Sequence, residues 1–234
     1  FMEMKMAALI QVDLTAVPLP QPDQLPESVL AQAANMSASR QQVFLAGRSL
    51  LAAWMQTQYG CVSLPALQVG AHGRPGFVDP NWPDFNLTHS GDQLWLVVGD
   101  GPLGLDIEVH RPRQQLDRLM AHVLSIAEQA WVAEQADPLA AFYQLWTLRE
   151  AVLKANGRGL GALGQVTVHP ASRQLATAAV PAGRIAVAQS GNTTLALYQT
   201  SENQTSPDVW TWLAGVFIPA HIGWSADWTV SSVV

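Results

Sequence analysis

The segment Gly104-Leu105-Asp106-Ile107-Glu108 constrains this chain more than any other. Side chains alternate along a β-strand, so Leu105, Ile107 and Val109 fall on one face and Asp106 and Glu108 on the other. The two carboxylates then stand about 7 Å apart, at roughly 3.3 Å per residue. The aliphatic face must be buried, so the acids either reach water at a sheet edge or meet a cation. Like charges held this close repel, and burial raises their pKa values; a bound cation removes that cost. Two hard oxygen donors suit Mg²⁺, which takes one or two carboxylates and completes its shell with water and phosphate. Taken alone, the segment leaves both the solvated edge and the metal site open.

The remainder of the chain narrows the choice. Its 234 residues suffice for one large domain or two small ones. With 49% hydrophobic and only 13% charged residues there is ample material for a core, and bulk disorder is excluded. No apolar run approaches the roughly 20 residues of a membrane helix. Phe1 to Met6 has neither a basic n-region nor a full apolar h-region, so no secretory signal is expected there and a cytoplasmic chain is. Cys61 is the only cysteine, which excludes an internal disulfide and a cysteine metal cluster. A net charge of −6 argues against a generic nucleic-acid binder. Lys5 and Lys154 are the only lysines; the arginines gather at Arg40 with Arg48, at Arg111, Arg113 and Arg118, and around Arg149 and Arg158. Such clustering on an acidic protein fits either a local anion site or scattered surface charge.

Apolar periodicity and turn residues place the elements. Ala7 to Val12 reads as a strand, and the prolines of residues 17–27 as an extended loop. Ser39 to Tyr59 has helical spacing, with Ser37 or Ser39 as cap and Gly60 as stop; Arg40 and Arg48 share one flank. Asn86, Thr88 and Ser90 alternate with Leu87 and His89 before a turn at Gly91-Asp92. Leu94 to Val98 and Leu103 to Val109 are expected to pair as a hairpin through Gly99-Asp100-Gly101-Pro102. Beyond Pro112 helices are expected over 116–123 and from Glu128, the latter opened by a Ser125–Glu128 capping box. A third helix starts at Asp137-Pro138, runs to Asn156-Gly157, and carries Trp146, Glu150 and Lys154 on one flank. Strands follow at 166–169, 184–188, 194–198 and 209–217, with Trp210 and Trp212 on a common face. Each half is thus helical first and strand-rich afterwards. The expected fold class is α+β (α/β), with subdomains at 1–111 and 112–234.

Four segments occur together: Gly73-Arg74-Pro75, Asn86 to Gly91, Gly104 to Glu108, and Trp146-Thr147-Leu148-Arg149-Glu150-Ala151-Val152-Leu153-Lys154. In order and spacing they resemble the 4′-phosphopantetheinyl transferase family, in its larger, surfactin-synthetase-type, pseudo-dimeric members. The resemblance implies a pseudo-twofold fold of two similar subdomains, with coenzyme A as substrate and Mg²⁺ in the cleft between them; Mn²⁺ accepts the same ligands. It implies Asp106, Glu108 and Glu150 as metal ligands and Lys154 at the pyrophosphate. His89 and Ser90 match positions at the 3′-phosphate. Arg74 stands where the family often has lysine, and Arg48 matches a basic position. Arg149 replaces a family lysine, a planar fork in place of a point charge.

The activity implied is transfer of the phosphopantetheine arm to a serine of an apo acyl or peptidyl carrier protein, releasing adenosine 3′,5′-bisphosphate. Glu150 is the expected base and Lys154 the expected phosphate cation, so these two are the catalytic residues. Arg111, Arg113 and Arg118 are expected to help dock the carrier. A monomer, with no nucleic-acid or membrane partner, is expected. The same residues also admit another Mg²⁺-dependent nucleotide phosphotransferase or phosphohydrolase, or a non-catalytic coenzyme A or carrier-binding module.

Overall fold

Alternating apolar residues divide the central strands between two faces, and that division builds the layers. The structure is a computed structural model that describes residues 7–15, 25–70, 72–200 and 206–233. Its first half contains β1 (Ala8–Asp13), α1 (Glu27–Ala34), α2 (Ala38–Tyr59), β2 (Leu67–Val69), β3 (Pro75–Phe77), β4 (Asp84–Ser90) and β5 (Gln93–Gly99). Next come β6 (Gly104–Val109), α3 (Leu116–Val123), α4 (Ile126–Ala133), α5 (Pro138–Asn156), β7 (Thr167–His169), β8 (Gln174–Thr177), β9 (Gly183–Ser190) and β10 (Thr193–Thr200). The chain closes with β11 (Asp208–Leu213), β12 (Val216–Ala220) and β13 (Ala226–Ser232). One sheet has the order β12-β11-β1-β5-β4, a second β6-β10-β9-β13-β8-β7, and β2-β3 form a small ribbon.

The two large sheets share a plan. β1 pairs antiparallel with β5, the second strand of the β4–β5 hairpin. β6 pairs in the same way with β10, the second strand of the β9–β10 hairpin. The mixed α+β fold class is therefore as expected. α2 covers the first sheet, packing Leu50, Leu51 and Met55 with Ile10, Phe85 and Leu96. α5 covers the second, packing Phe142, Leu148 and Val152 with Ile185, Val187 and Tyr198. A third cluster joins the sheets: Leu9, Trp95 and Val97 meet Leu105, Ile107, Leu195 and Leu197. Each such aliphatic side chain contributes about 1.5–3 kcal/mol when taken fully out of water.

Three expectations change. The hairpin runs β4–β5 through Gly91, at φ 59°, and not β5–β6. After Gly99 the chain leaves the first sheet, and β6 joins the second as an edge strand. Residues 209–217 are not one strand but parts of β11 and β12, turned at Ala214 and Gly215, both at positive φ as a two-residue hairpin requires. β11 runs parallel to β1, so the late chain completes the first sheet. The sheets consequently do not divide at 111/112, because β6 precedes that point and β11–β12 return across it. α1 and β8 are short and lie outside the expected set, as does β13, although its Ala226, Trp228 and Val230 alternate with polar residues. Most of the proline-rich loop of residues 17–27 lies outside the described residues. Trp212 is buried in the α2-side core and Trp210 packs against it, so the two do share a face.

Contact between β6 and α5 is as close as backbone permits. A Cβ on Gly104 would lie 1.8 Å from the Ala151 carbonyl oxygen and 3.0 Å from the Ala155 Cβ. Gly104→Ala must push strand and helix apart and should cost about 3 kcal/mol, the upper end of ordinary overpacking, read as a lowered urea midpoint.

Candidate active site

Close approach at Gly104 turns the acidic face of β6 toward α5. Leu105 and Ile107 enter the cluster between the sheets, which leaves Asp106 and Glu108 on the helix side. α5 is fixed at both ends. The Asp137 side chain accepts from Ala140 N at 3.0 Å, Pro138 occupies the first turn, and Gly157 closes the helix at φ 80°. Residues four apart share a helix flank, which puts Glu150 and Lys154 together over β6.

The other edge of β6 meets β4 through an unusual ladder. Leu103 N donates to Asp84 Oδ2 at 2.8 Å, Leu105 N to Asn86 Oδ1 at 3.2 Å, Ile107 N to Thr88 Oγ1 at 3.3 Å, and Val109 N to Ser90 Oγ at 3.0 Å. Buried N–H groups need acceptors. Here alternate side chains of β4 supply them, so two sheet edges are stitched without backbone pairing. Replacing Asn86 with leucine strands the Leu105 N–H and should cost about 1–3 kcal/mol, measured as a drop in Tm.

Asp106 is 3% exposed and sits at the centre. Its Oδ1 receives the Lys154 ammonium and, at 3.2 Å, the Thr88 hydroxyl. Its Oδ2 is buried without a hydrogen-bond partner among the described residues. Burial pushes the Asp106 carboxyl up to about 7 against the opposing pull of Lys154, and the Glu150 and Glu108 charges add to the rise. Burial also raises Glu150; Glu108 adds to this, while Lys154 and Arg113 oppose it. Asp106 thus feels both other acids, and Glu150 feels Glu108. Among the described residues no three His, Cys, Asp or Glu side chains are gathered tightly enough to hold a metal ion together. The cation that Asp106 meets is Lys154.

Beside this cluster lies a cleft of about 330 Å³ lined by Arg40, Phe44, Arg48, Thr88 and His89, among others. Gly47 lets α2 pass Leu87 at the cleft floor, where an added Cβ would be 3.4 Å from that side chain. The Arg48 guanidinium lies over the Phe44 ring at 4.8 Å, and burial lowers its pKa to about 10. His89 is exposed, yet its packed surroundings, and after them the Lys154 ammonium, lower its imidazole pKa. Thr88 belongs to both the cleft and the acidic cluster. Ser90 is half-buried; it supplies a rung of the ladder and donates to Glu108 Oε2 at 3.3 Å.

Arg74 is occupied differently from the expectation. Its Nε donates to the Lys154 carbonyl at 2.9 Å, and its Nη2 to Asp84 at 2.6 Å, to the Leu103 carbonyl at 3.1 Å and to the Phe85 carbonyl at 3.3 Å. It clamps the end of α5 to the β4–β6 seam. Arg149 points into the core, where it pairs with Glu128. Arg113 lies 5.5 Å from the Tyr143 ring centroid and 5.6 Å from that of Trp146, with its Nε on the Tyr143 hydroxyl at 3.0 Å.

Residues 102–209, which include β6 and α5, match the family model of the 4′-phosphopantetheinyl transferase superfamily. The chain is 39% identical over 154 residues to the 4′-phosphopantetheinyl transferase AcpT of Salmonella typhimurium (strain LT2), covering 64% of this chain and 75% of that protein. The chain belongs to the 4′-phosphopantetheinyl transferase superfamily. AcpT of Salmonella typhi is 40% identical over 139 residues, 57% of this chain and 67% of its own length. The uncharacterized protein YieE of Escherichia coli (strain K12) is 36% identical over 137 residues. That match spans 57% of this chain and only about half, 55%, of YieE. Among these transferase-superfamily residues, sequence reasoning missed Thr88 as the link between cleft and carboxylates and Glu128 as the partner of Arg149. The period-two run of Asn86, Thr88 and Ser90 carried the first signal; nothing local to Arg149 carried the second.

Proposed function

We propose that this protein moves the phosphopantetheine arm of coenzyme A onto a serine hydroxyl of an apo acyl or peptidyl carrier protein, releasing adenosine 3′,5′-bisphosphate. The observation that carries the reading is the junction at Thr88, where a cleft with two arginines and a histidine adjoins a buried aspartate that has one oxygen unpartnered. Asp106, Glu108 and Glu150 would hold Mg²⁺, or Mn²⁺, the unpartnered Asp106 Oδ2 and the mutual repulsion of the acids being what such an ion suits. When bound, the ion neutralises charge on the diphosphate and on the oxygens that exchange at phosphorus.

The chain's own residues perform the rest. Phosphoryl transfer needs positioning and charge neutralisation more than covalent help. Glu150, whose burial raises its basicity, takes the proton of the attacking serine. Lys154 leaves Asp106 for the phosphate as charge builds there. Arg48 and His89 receive the 3′-phosphate end in the cleft, with Ser90 next in the strand beyond its lining, and Arg74, which lines a separate pocket beside Gly157, offers the one guanidinium nitrogen, Nη1, that the clamp does not use. The repeated strand–helix–hairpin plan supports the larger, surfactin-synthetase-type architecture, a monomer with one complete site between its two similar halves. Carrier docking uses the arginines after β6, and a cytoplasmic setting matches that partner.

Release of adenosine 3′,5′-bisphosphate, followed by chromatography, tests the reading. Release that requires both apo-carrier and Mg²⁺ and stops with EDTA is expected. Nucleotide turnover without a carrier would instead indicate a phosphohydrolase.

A further inference from the structure

We infer that Thr88 is a positioning residue: its hydroxyl turns the Asp106 carboxylate so that Oδ2 faces a divalent cation, and it holds Lys154 alongside. The inference rests on the proposal that Asp106 is a metal ligand. Thr88 is 4% exposed. Its Oγ1 lies 3.3 Å from Ile107 N, 3.1 Å from Lys154 Nζ and 3.2 Å from Asp106 Oδ1. A hydroxyl has one proton and two lone pairs, whereas a peptide N–H and an ammonium only donate. Ile107 and Lys154 therefore fill both lone pairs, and the Thr88 proton goes to Asp106 Oδ1. That oxygen now has two donors, and Oδ2 is left buried and unpartnered. The stiff χ1 of a β-branched side chain holds the arrangement.

The neighbouring rung separates this role from simple structural support. Asn86 accepts from Leu105 N and donates to the Lys154 backbone carbonyl at 3.4 Å, and neither bond involves a carboxylate. Both residues stitch the seam, but only Thr88 touches the acidic cluster.

Mn²⁺ binding, followed by electron paramagnetic resonance on the full chain with coenzyme A present, tests the inference. Partners that orient a metal ligand typically change affinity by roughly 10–100-fold, so Thr88→Val should lose that much, while Thr88→Ser and Asn86→Leu should stay within about threefold of wild type. Asn86→Leu should still lower Tm. If Thr88→Val binds Mn²⁺ as well as wild type, the positioning role is wrong and the metal assignment stands. If wild type itself binds no Mn²⁺, the metal assignment fails and the positioning role with it. A crystal structure of wild type with Mn²⁺ and coenzyme A gives an answer even if Thr88→Val does not fold. Metal on Asp106 Oδ2 with Thr88 on Oδ1 is expected; metal on Oδ1 with Thr88 turned away overturns the inference.

Discussion

Arg149→Met should destabilise the protein by about 3–5 kcal/mol, the cost of removing one partner from a buried ion pair. Arg149 and Glu128 are each 2% exposed. The guanidinium pairs with Glu128 Oε1 through Nη2, and its Nη1 donates to the Leu145 carbonyl at 3.2 Å. Burial lowers the Arg149 pKa, and Glu128 opposes that shift. Glu128 is also a junction. Its Oε1 accepts from Val168 N at 3.2 Å, its Oε2 from Ser125 N at 2.6 Å, and its own N–H donates to Ser125 Oγ at 3.3 Å. It thereby joins α4 and α5 to the strand that begins at Thr167. Without the arginine a carboxylate remains buried with only neutral donors. The double variant Arg149→Met/Glu128→Gln should recover part of the loss, because no charge is left and glutamine still closes the capping box. Urea unfolding measures both; a double variant less stable than Arg149→Met would show that the pair's charge is not what matters. Arg149→Lys should also destabilise, since an ammonium cannot bond Glu128 and the Leu145 carbonyl with one planar fork.

Glu150→Ala should lower transfer by about 10²–10⁴-fold, the usual contribution of a positioned acid or base, with little change in Tm. The side chain is half-buried and no ladder or clamp bond depends on it, so the fold should survive. Removing it also takes one like charge away from Glu108 and Asp106. The Asp106 carboxyl should then titrate lower, not higher, in Glu150→Ala, which NMR of a labelled aspartate would register. Transfer at the wild-type rate by this variant would remove both the base and the metal assignment.

What was legible in the chain follows a physical rule. Local patterns were readable: the Asp106–Glu108 alternation, the Asp137-Pro138 start of α5, the Ser125–Glu128 capping box and the Gly60 stop of α2 all depend on neighbours within four residues. Residues far apart in sequence decided the remainder. The glycines at 99 and 101 looked like a hairpin, but Asp84, Asn86, Thr88 and Ser90 offer side-chain acceptors to β6, which frees it to join β10. The Arg74 clamp closes over 80 residues, to Lys154. Arg149 finds Glu128 21 residues away, in a helix whose own pattern already explained that glutamate as a cap. Single polar pairs such as Arg74–Lys154 and Arg149–Glu128 leave no periodic trace, whereas apolar faces and the period-two polar run of β4 do.

Intact-mass measurement of an apo-carrier protein after incubation with this chain, coenzyme A and Mg²⁺ tests the central claim most directly. A gain of one phosphopantetheine arm on wild-type carrier, absent when the carrier serine is changed to alanine, is the predicted result. An unchanged carrier mass across acyl and peptidyl carriers, with coenzyme A intact, would contradict the account.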